Sequence, residues 1–346
     1  MSAGHGDRMT PRERMSAFLQ GQRVDRVPCA PLILNHAARV LGVKVSEYNR
    51  DGGIMGRAHA AAFERYGHDF IFIFSTTSTL AEAMGTRLFF PEDDAPWVEA
   101  PVVGAPEDLS LVRIPDPARD GRLPVYLEAV EVCSGRVGSE VFVGCVLAGP
   151  FTTAAALRGT ETFMRETYRN PDLVRALLER STEAAFRFID AIVAAGAVPV
   201  LVEPVASGSL ISPVQFDRFV LPYLRPLAER IKGAGLPCIL HICGRTSKLL
   251  ERMTDTGANA LSLDQVDLAE AKARVGAHVC LIGNVRPAET LLKGTPDDVA
   301  REARECFQKA GGSPGGFILS SGCEVPLDTP PPNLLAMMDA ARACRP

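Results

Sequence analysis

The sequence predicts a closed eight-fold β/α barrel, and three observations carry that expectation. Strand-like and helix-like segments alternate along most of the chain, and the strands are continuously apolar, which is the mark of a parallel sheet covered by helices. No G-x-G-x-x-G follows a strand, which leaves a dinucleotide-binding doubly wound sheet without its fingerprint. At 346 residues the chain also suits one large barrel, whose usual size is about 250 residues before insertions.

Residues 1–15 read as a mobile N-terminal arm and residues 16–346 as the barrel. Thr10-Pro11 supplies an N-cap and a first helical position. "RVPCAPLIL" reads as a strand, "GIMGRAHAAAFERYG" as a helix and "DFIFIF" as a strand. A polar, proline-rich stretch from about Phe90 to Pro124 reads as an insertion lying over the body. "EVFVGCVLAGP" is a buried strand running into a turn. The helix from Asn170 carries Leu173, Val174, Leu177, Leu178, Phe188, Ile189, Ile192 and Val193 near helical spacing and stops at Gly196. "VPVLVE" is a strand, and the helix after Ser212-Pro213 is expected to bend at Pro222 and Pro226. Strands "PCILH", "ALSL", "VCLIG" and "FILSSG" then alternate with helices, and a last helix begins near Asn333.

Composition excludes several classes. Apolar residues make up 47% and charged residues 23%, the balance of an ordinary globular protein. A net charge of −4 and the lack of any basic run argue against nucleic acid or an anionic membrane as a partner. No stretch reads as a signal peptide or a transmembrane helix. Nine cysteines, odd in number and irregular in spacing, do not form a secreted disulfide framework. A reducing, cytoplasmic location is the expectation.

In such a barrel the active site lies at the C-terminal ends of the strands. Those ends carry Glu203, His241 with Cys243, Asp264, Asn284 and Cys323. One histidine, two cysteines and a carboxylate on one rim describe a zinc site with an exchangeable position, since thiolates select zinc over magnesium or manganese. His-x-Cys alone is a weak pattern; the weight comes from three such residues falling at equivalent places in the repeat. Cys145, Cys238 and Cys280 lie within apolar strands and read as core, and Cys29 lies in the first strand. Cys133, Cys306 and Cys344 sit on helices without metal-like neighbours. "GGSPGG" reads as a loop before the last strand, and His36 as either a cap or a substrate contact.

At these residues the chain resembles a known superfamily. "MTPRERMSAFLQGQRVDRVP", "LAGPFTTAAALRG", "HICGRTSKLLERMTDTGANALSLDQ", "GNVRP" and "SSGCEVPLDTPPPNL" are similar, in order, to segments of the uroporphyrinogen decarboxylase superfamily over residues 9 to 344. The resemblance implies a (β/α)₈ barrel. The decarboxylase's own arginine-rich loop and its Asp after "FS" are missing: "LILNHAARVLG" keeps only Arg39, and "IFSTTSTLAEAMG" has no Asp. Tetrapyrrole decarboxylation is therefore the weaker alternative. The His-x-Cys…Cys set resembles the cobamide-dependent methyltransferase branch, which implies His241, Cys243 and Cys323 as zinc ligands. "EPVASGSLISP" is similar to that branch's "DPTASGDLISP", which implies Glu203 as a fourth ligand or an acid–base group.

The function so implied is transfer of a methyl group between a corrinoid and a thiol or another small substrate that zinc activates. An electron-rich zinc suits a thiol held as a nucleophilic thiolate; the reverse transfer to Co(I) stays open. No D-x-H-x-x-G pattern is present, so the corrinoid is expected from outside, on a partner protein or as free methylcobalamin. A non-enzymatic zinc-stabilised binding protein is the contrasting class.

Overall fold

The computed structural model describes residues 7–345. Its strands are β1 (Phe70–Ile73), β2 (Arg87–Phe89), β3 (Trp97–Ala100), β4 (Phe142–Ala148), β5 (Val198–Val202), β6 (Ile239–Ile242), β7 (Ala260–Leu263), β8 (Cys280–Val285) and β9 (Phe317–Ser321). Seven of them form one parallel sheet in the order β1-β4-β5-β6-β7-β8-β9. The segment around Cys29 fills the eighth position. Ala30 N–H donates to the Leu319 carbonyl (2.9 Å), Leu319 N–H to the Pro28 carbonyl (2.9 Å) and Asp69 N–H to the Cys29 carbonyl (2.8 Å). These bonds join β9 to β1 and close the ring.

The expected strand "RVPCAPLIL" thus shrinks to a single bridge, Cys29 to Leu319. Pro28 and Pro31 explain this, because neither can donate a ladder hydrogen bond.

The strands are apolar on both faces because two cores meet them. Phe70, Phe72, Val198, Val200, Ile239 and Ile282 point inward and pack together inside the barrel. Ile71, Ile73, Leu201, Leu240 and Leu281 point outward into the core shared with the helices. The period of two along each strand sorts them.

From Asp7 onward the expected arm is fastened rather than mobile; its first six residues lie outside the described ones. Thr10 and Glu13 form a reciprocal cap on a helix over Pro11–Leu19. Its Arg14 is wholly buried and pairs with Asp69 (2.6 Å) and Asp25 (2.7 Å). Arg26 pairs with the other oxygen of Asp69 (2.7 Å) and with Asp7 (3.0 Å). Two buried guanidiniums demand these carboxylates, and the ion network ties the N-terminal segment to the foot of β1.

The stretch from Phe90 to Pro124 is also more ordered than its composition suggests. β2 and β3 form an antiparallel hairpin with the Phe89 and Trp97 rings 4.9 Å apart, and a helix over Leu123–Val137 begins inside it. The expected bend after Ser212 is a full break: helices Pro213–Phe219 and Leu221–Gly233 meet at Val220, where Pro222 lacks the N–H that would continue the ladder. No helix among the described residues is long and apolar enough to cross a membrane.

Candidate metal centre

β6 carries His241 one residue before its end, where the parallel register sets it beside Ser262 of β7. Its Nδ1 lies 2.9 Å from Ser262 Oγ, and both residues are buried. That contact fixes the ring and leaves Nε2 facing the rim. Two residues on, Cys243 is followed by a sharp turn at Gly244, whose φ of +74° favours glycine. A Cβ there would also meet Ser207 Oγ at 2.8 Å. The Gly244 N–H donates to Asp264 Oδ2 at 2.7 Å, which pins the turn. Cys323 follows β9 directly after Gly322, whose N–H donates to the Val285 carbonyl (2.8 Å).

The three side chains converge. His241 Nε2 is 3.1 Å from Cys243 Sγ and 3.7 Å from Cys323 Sγ, and the two sulfurs are 3.4 Å apart. Among the described residues they are the one group of three or more His, Cys, Asp or Glu side chains close enough to share an ion. The other seven cysteines are all buried, while these two are part-exposed. A hydrogen bond from Cys243 holds the Cys323 thiol well below its ordinary range, with His241 adding to it. The same bond, with burial, pushes the Cys243 thiol up. Two sulfurs and an imidazole nitrogen are gathered around one point, in the place a soft cation would take. The donor set fits Zn²⁺, with the second imidazole nitrogen anchored as a ligating histidine requires.

Glu203 does not join them. It follows β5 and is wholly buried. Its Oε1 accepts from the Phe151 N–H (3.0 Å), and its Oε2 accepts from the Thr152 N–H (2.8 Å) and hydroxyl (2.6 Å). These donors form the start of the helix over Pro150–Arg158, where partial positive charge favours a carboxylate. Gly149 leaves it room, since a Cβ there would lie 2.2 Å from Oε1. Burial outweighs these bonds and raises its pKa to about 7.

The other residues at strand ends turn out to be supports. Asp264 holds the Gly244 turn, and Asn284 Nδ2 donates to the carbonyls of Asp264 (2.8 Å) and Val266 (2.7 Å). His36 is occupied by the Leu327 carbonyl (2.7 Å) and the Tyr66 hydroxyl (3.0 Å). Arg39 lies outside the centre, bound to Asp93 and Asp328. Sequence reasoning missed Ser262, Thr152 and Glu324. Ser262 had a signal, being a hydroxyl at an inward position of the apolar run "ALSL".

Glu324 accepts from Asn35 Nδ2 (2.9 Å) and the Asn35 N–H (3.2 Å). It borders a cavity of about 240 Å³ that opens at the three donors and continues into the barrel between Leu32, Phe72, Val200, Ile239 and Ile282. The barrel is not filled to its top by its own side chains.

Known proteins match the chain over nearly its whole length. The family model described as uroporphyrinogen decarboxylase matches residues 10–344. The chain is similar to a methylated-thiol–coenzyme M methyltransferase of Methanosarcina mazei, 31% identical over 97% of this chain and 89% of that protein. It is 30% identical to a methylcobamide:CoM methyltransferase of Methanosarcina barkeri, over 96% of this chain and 97% of that one. Bacterial uroporphyrinogen decarboxylases match at 30% identity and below. A solved methyltransferase from Methanosarcina mazei superposes with a TM-score of 0.87 at 30% identity, covering 96% of this chain and 98% of its own. The chain belongs to the uroporphyrinogen decarboxylase family, within its branch of methyltransferase enzymes.

Proposed function

We propose that this chain moves a methyl group between a corrinoid and a small substrate held at a zinc ion on His241, Cys243 and Cys323. The observation that carries the reading is this convergence of one nitrogen and two sulfurs at the mouth of an apolar cavity. Relatives named as methylcobamide:CoM methyltransferases support it. Zinc bound there supplies a soft Lewis acid that acidifies a thiol, or polarises a methylated heteroatom, at neutral pH.

The chain's own residues do the rest. Ser262 orients His241, Asp264 and Gly244 set the Cys243 turn, and the apolar walls exclude water from the reacting atoms. Three protein donors leave a fourth position for the substrate. Glu203 is assigned to positioning: reaching the trio would cost it three hydrogen bonds. The cavity of about 240 Å³ is far too small for a corrin ring, so the corrinoid comes to the rim from outside, on a partner protein or as free methylcobalamin. Nine free cysteines suit the reducing cytoplasm.

Elemental analysis tests the site. About one zinc per chain is expected for the purified protein, most of it lost in His241→Ala, Cys243→Ala and Cys323→Ala, and retained in Glu203→Gln. Full zinc in Cys323→Ala would overturn the ligand assignment, and loss of zinc in Glu203→Gln would return that residue to the ligand set.

A further inference from the structure

The substrate's chemistry is written in the walls of the cavity beside the three donors. Those walls are Leu32, Phe72, Val146, Val200, Ile239 and Ile282, with Leu34, Phe74 and Thr77 nearer the mouth. Among the described residues, no lysine or arginine lines the cavity, and the acidic group at its edge is Glu324. Among the described residues, the cations at neighbouring positions do not line it. Arg122 pairs with Glu82 (2.9 Å) and donates to Ser75 Oγ (2.9 Å) and the Asn49 carbonyl (3.1 Å). Arg39 pairs with Asp93 and Asp328, and Arg286 pairs with Glu302 (3.1 Å). Arg245, beside the Cys243 turn, is exposed and does not line the cavity.

We infer that the substrate is a neutral, apolar-bodied small molecule that presents one sulfur or oxygen to the metal and buries an uncharged remainder among Leu32, Phe72, Val200, Ile239 and Ile282. The inference rests on the proposed function and names the substrate class for that same site. It sets the chain apart from relatives whose names specify coenzyme M, which is 2-mercaptoethanesulfonate. A sulfonate pushed among these side chains would leave its hydration without gaining a cation or a set of donors, and a buried unpaired charge is strongly disfavoured. Size sets the second limit. An apolar cavity of about 150 Å³ takes up benzene, so 240 Å³ holds a body of about ten non-hydrogen atoms on the same scale. Short alkyl thiols, thioethers and small methyl ethers fit, and a tetrapyrrole does not.

The test compares ligands of matched length and reads binding rather than turnover, so its failure is distinguishable from a failure of methyl transfer. The full-length protein is loaded with Co²⁺ in place of zinc and titrated with propane-1-thiol or 2-mercaptoethanesulfonate. Sulfur-to-cobalt absorption is followed. Propane-1-thiol is expected to bind about tenfold or more tightly than the sulfonate. Equal or tighter binding of the sulfonate overturns the inference, as does no binding of either thiol at millimolar concentration to the cobalt-loaded protein. Ile282→Phe narrows the cavity and is expected to weaken propane-1-thiol about tenfold while sparing methanethiol. Equal weakening of both thiols would contradict burial of the alkyl body. The wild-type comparison decides the matter even if that variant fails to fold.

Discussion

Replacing Ser262 with alanine removes one atom that touches the proposed ligand set only through His241, and its effect follows from the local geometry. Ser262 Oγ lies 2.9 Å from His241 Nδ1, and the residues are 2% and 4% exposed. Without the hydroxyl, a buried ring nitrogen loses its partner and the ring is free to turn about its side-chain bonds. An unsatisfied buried polar group costs about 1–3 kcal/mol. If that cost appears in the metal-bound state, zinc affinity falls by about 10–100-fold, the range usual for outer partners of ligating histidines. In the metal-free protein the ring can turn within the cavity it borders and recover part of that cost, so global stability should change by less than the zinc affinity does. Competition of the protein with a chromophoric chelator measures the affinity. Ser262→Thr keeps the hydroxyl and should restore most of it. Wild-type zinc affinity in Ser262→Ala would refute the reasoning, since the serine would then not be what holds the ring.

Two further predictions concern the frame. Asp69→Asn leaves Arg14 and Arg26 buried without their shared carboxylate and should cost about 3–5 kcal/mol in denaturant unfolding; a loss under about 1 kcal/mol would show that the ion network contributes little. His68 is wholly buried, its Nδ1 has no partner, and burial holds its pKa down at about 3. The ring is neutral when folded and takes a proton below about pH 6.5 when unfolded, so its contribution is present above that pH and is lost as pH falls toward 3. Relative to His68→Phe, the wild type should lose about 2 kcal/mol of stability between pH 7 and pH 5. A stability difference between the two that stays constant over that range would contradict the assignment.

Much of the fold was legible because it rests on period and punctuation. The apolar strands, the cap at Thr10-Pro11 and the stop at Gly196 are local signals, and the structure places elements on them. The first strand was over-read because "RVPCAPLIL" is apolar enough, while its two prolines deny it a ladder. The fastening of the N-terminal segment was missed because Asp7, Arg14, Arg26 and Asp69 are scattered polar residues whose pairing exists only in space. His241, Cys243 and Cys323 were legible as equivalent positions in a repeated unit, and the structure brings them within ion-sharing distance. Glu203 occupies an equivalent place, but its orientation depends on the helix N-terminus at Phe151 and Thr152, some fifty residues away in sequence. No spacing rule reports such a contact. The emptiness of the upper barrel was illegible for the same reason, being a property of how the inward side chains meet.

The measurement that bears most directly on the central claim is the methyl-cobalt spectrum of methylcobalamin mixed with the zinc-loaded protein and a neutral thiol. The account predicts conversion to Co(I) in the wild type, or in reverse the methylation of Co(I) from a neutral methylated donor, and neither reaction in Cys323→Ala. Conversion in Cys323→Ala at the wild-type rate, or none in either direction with the wild type, would contradict it.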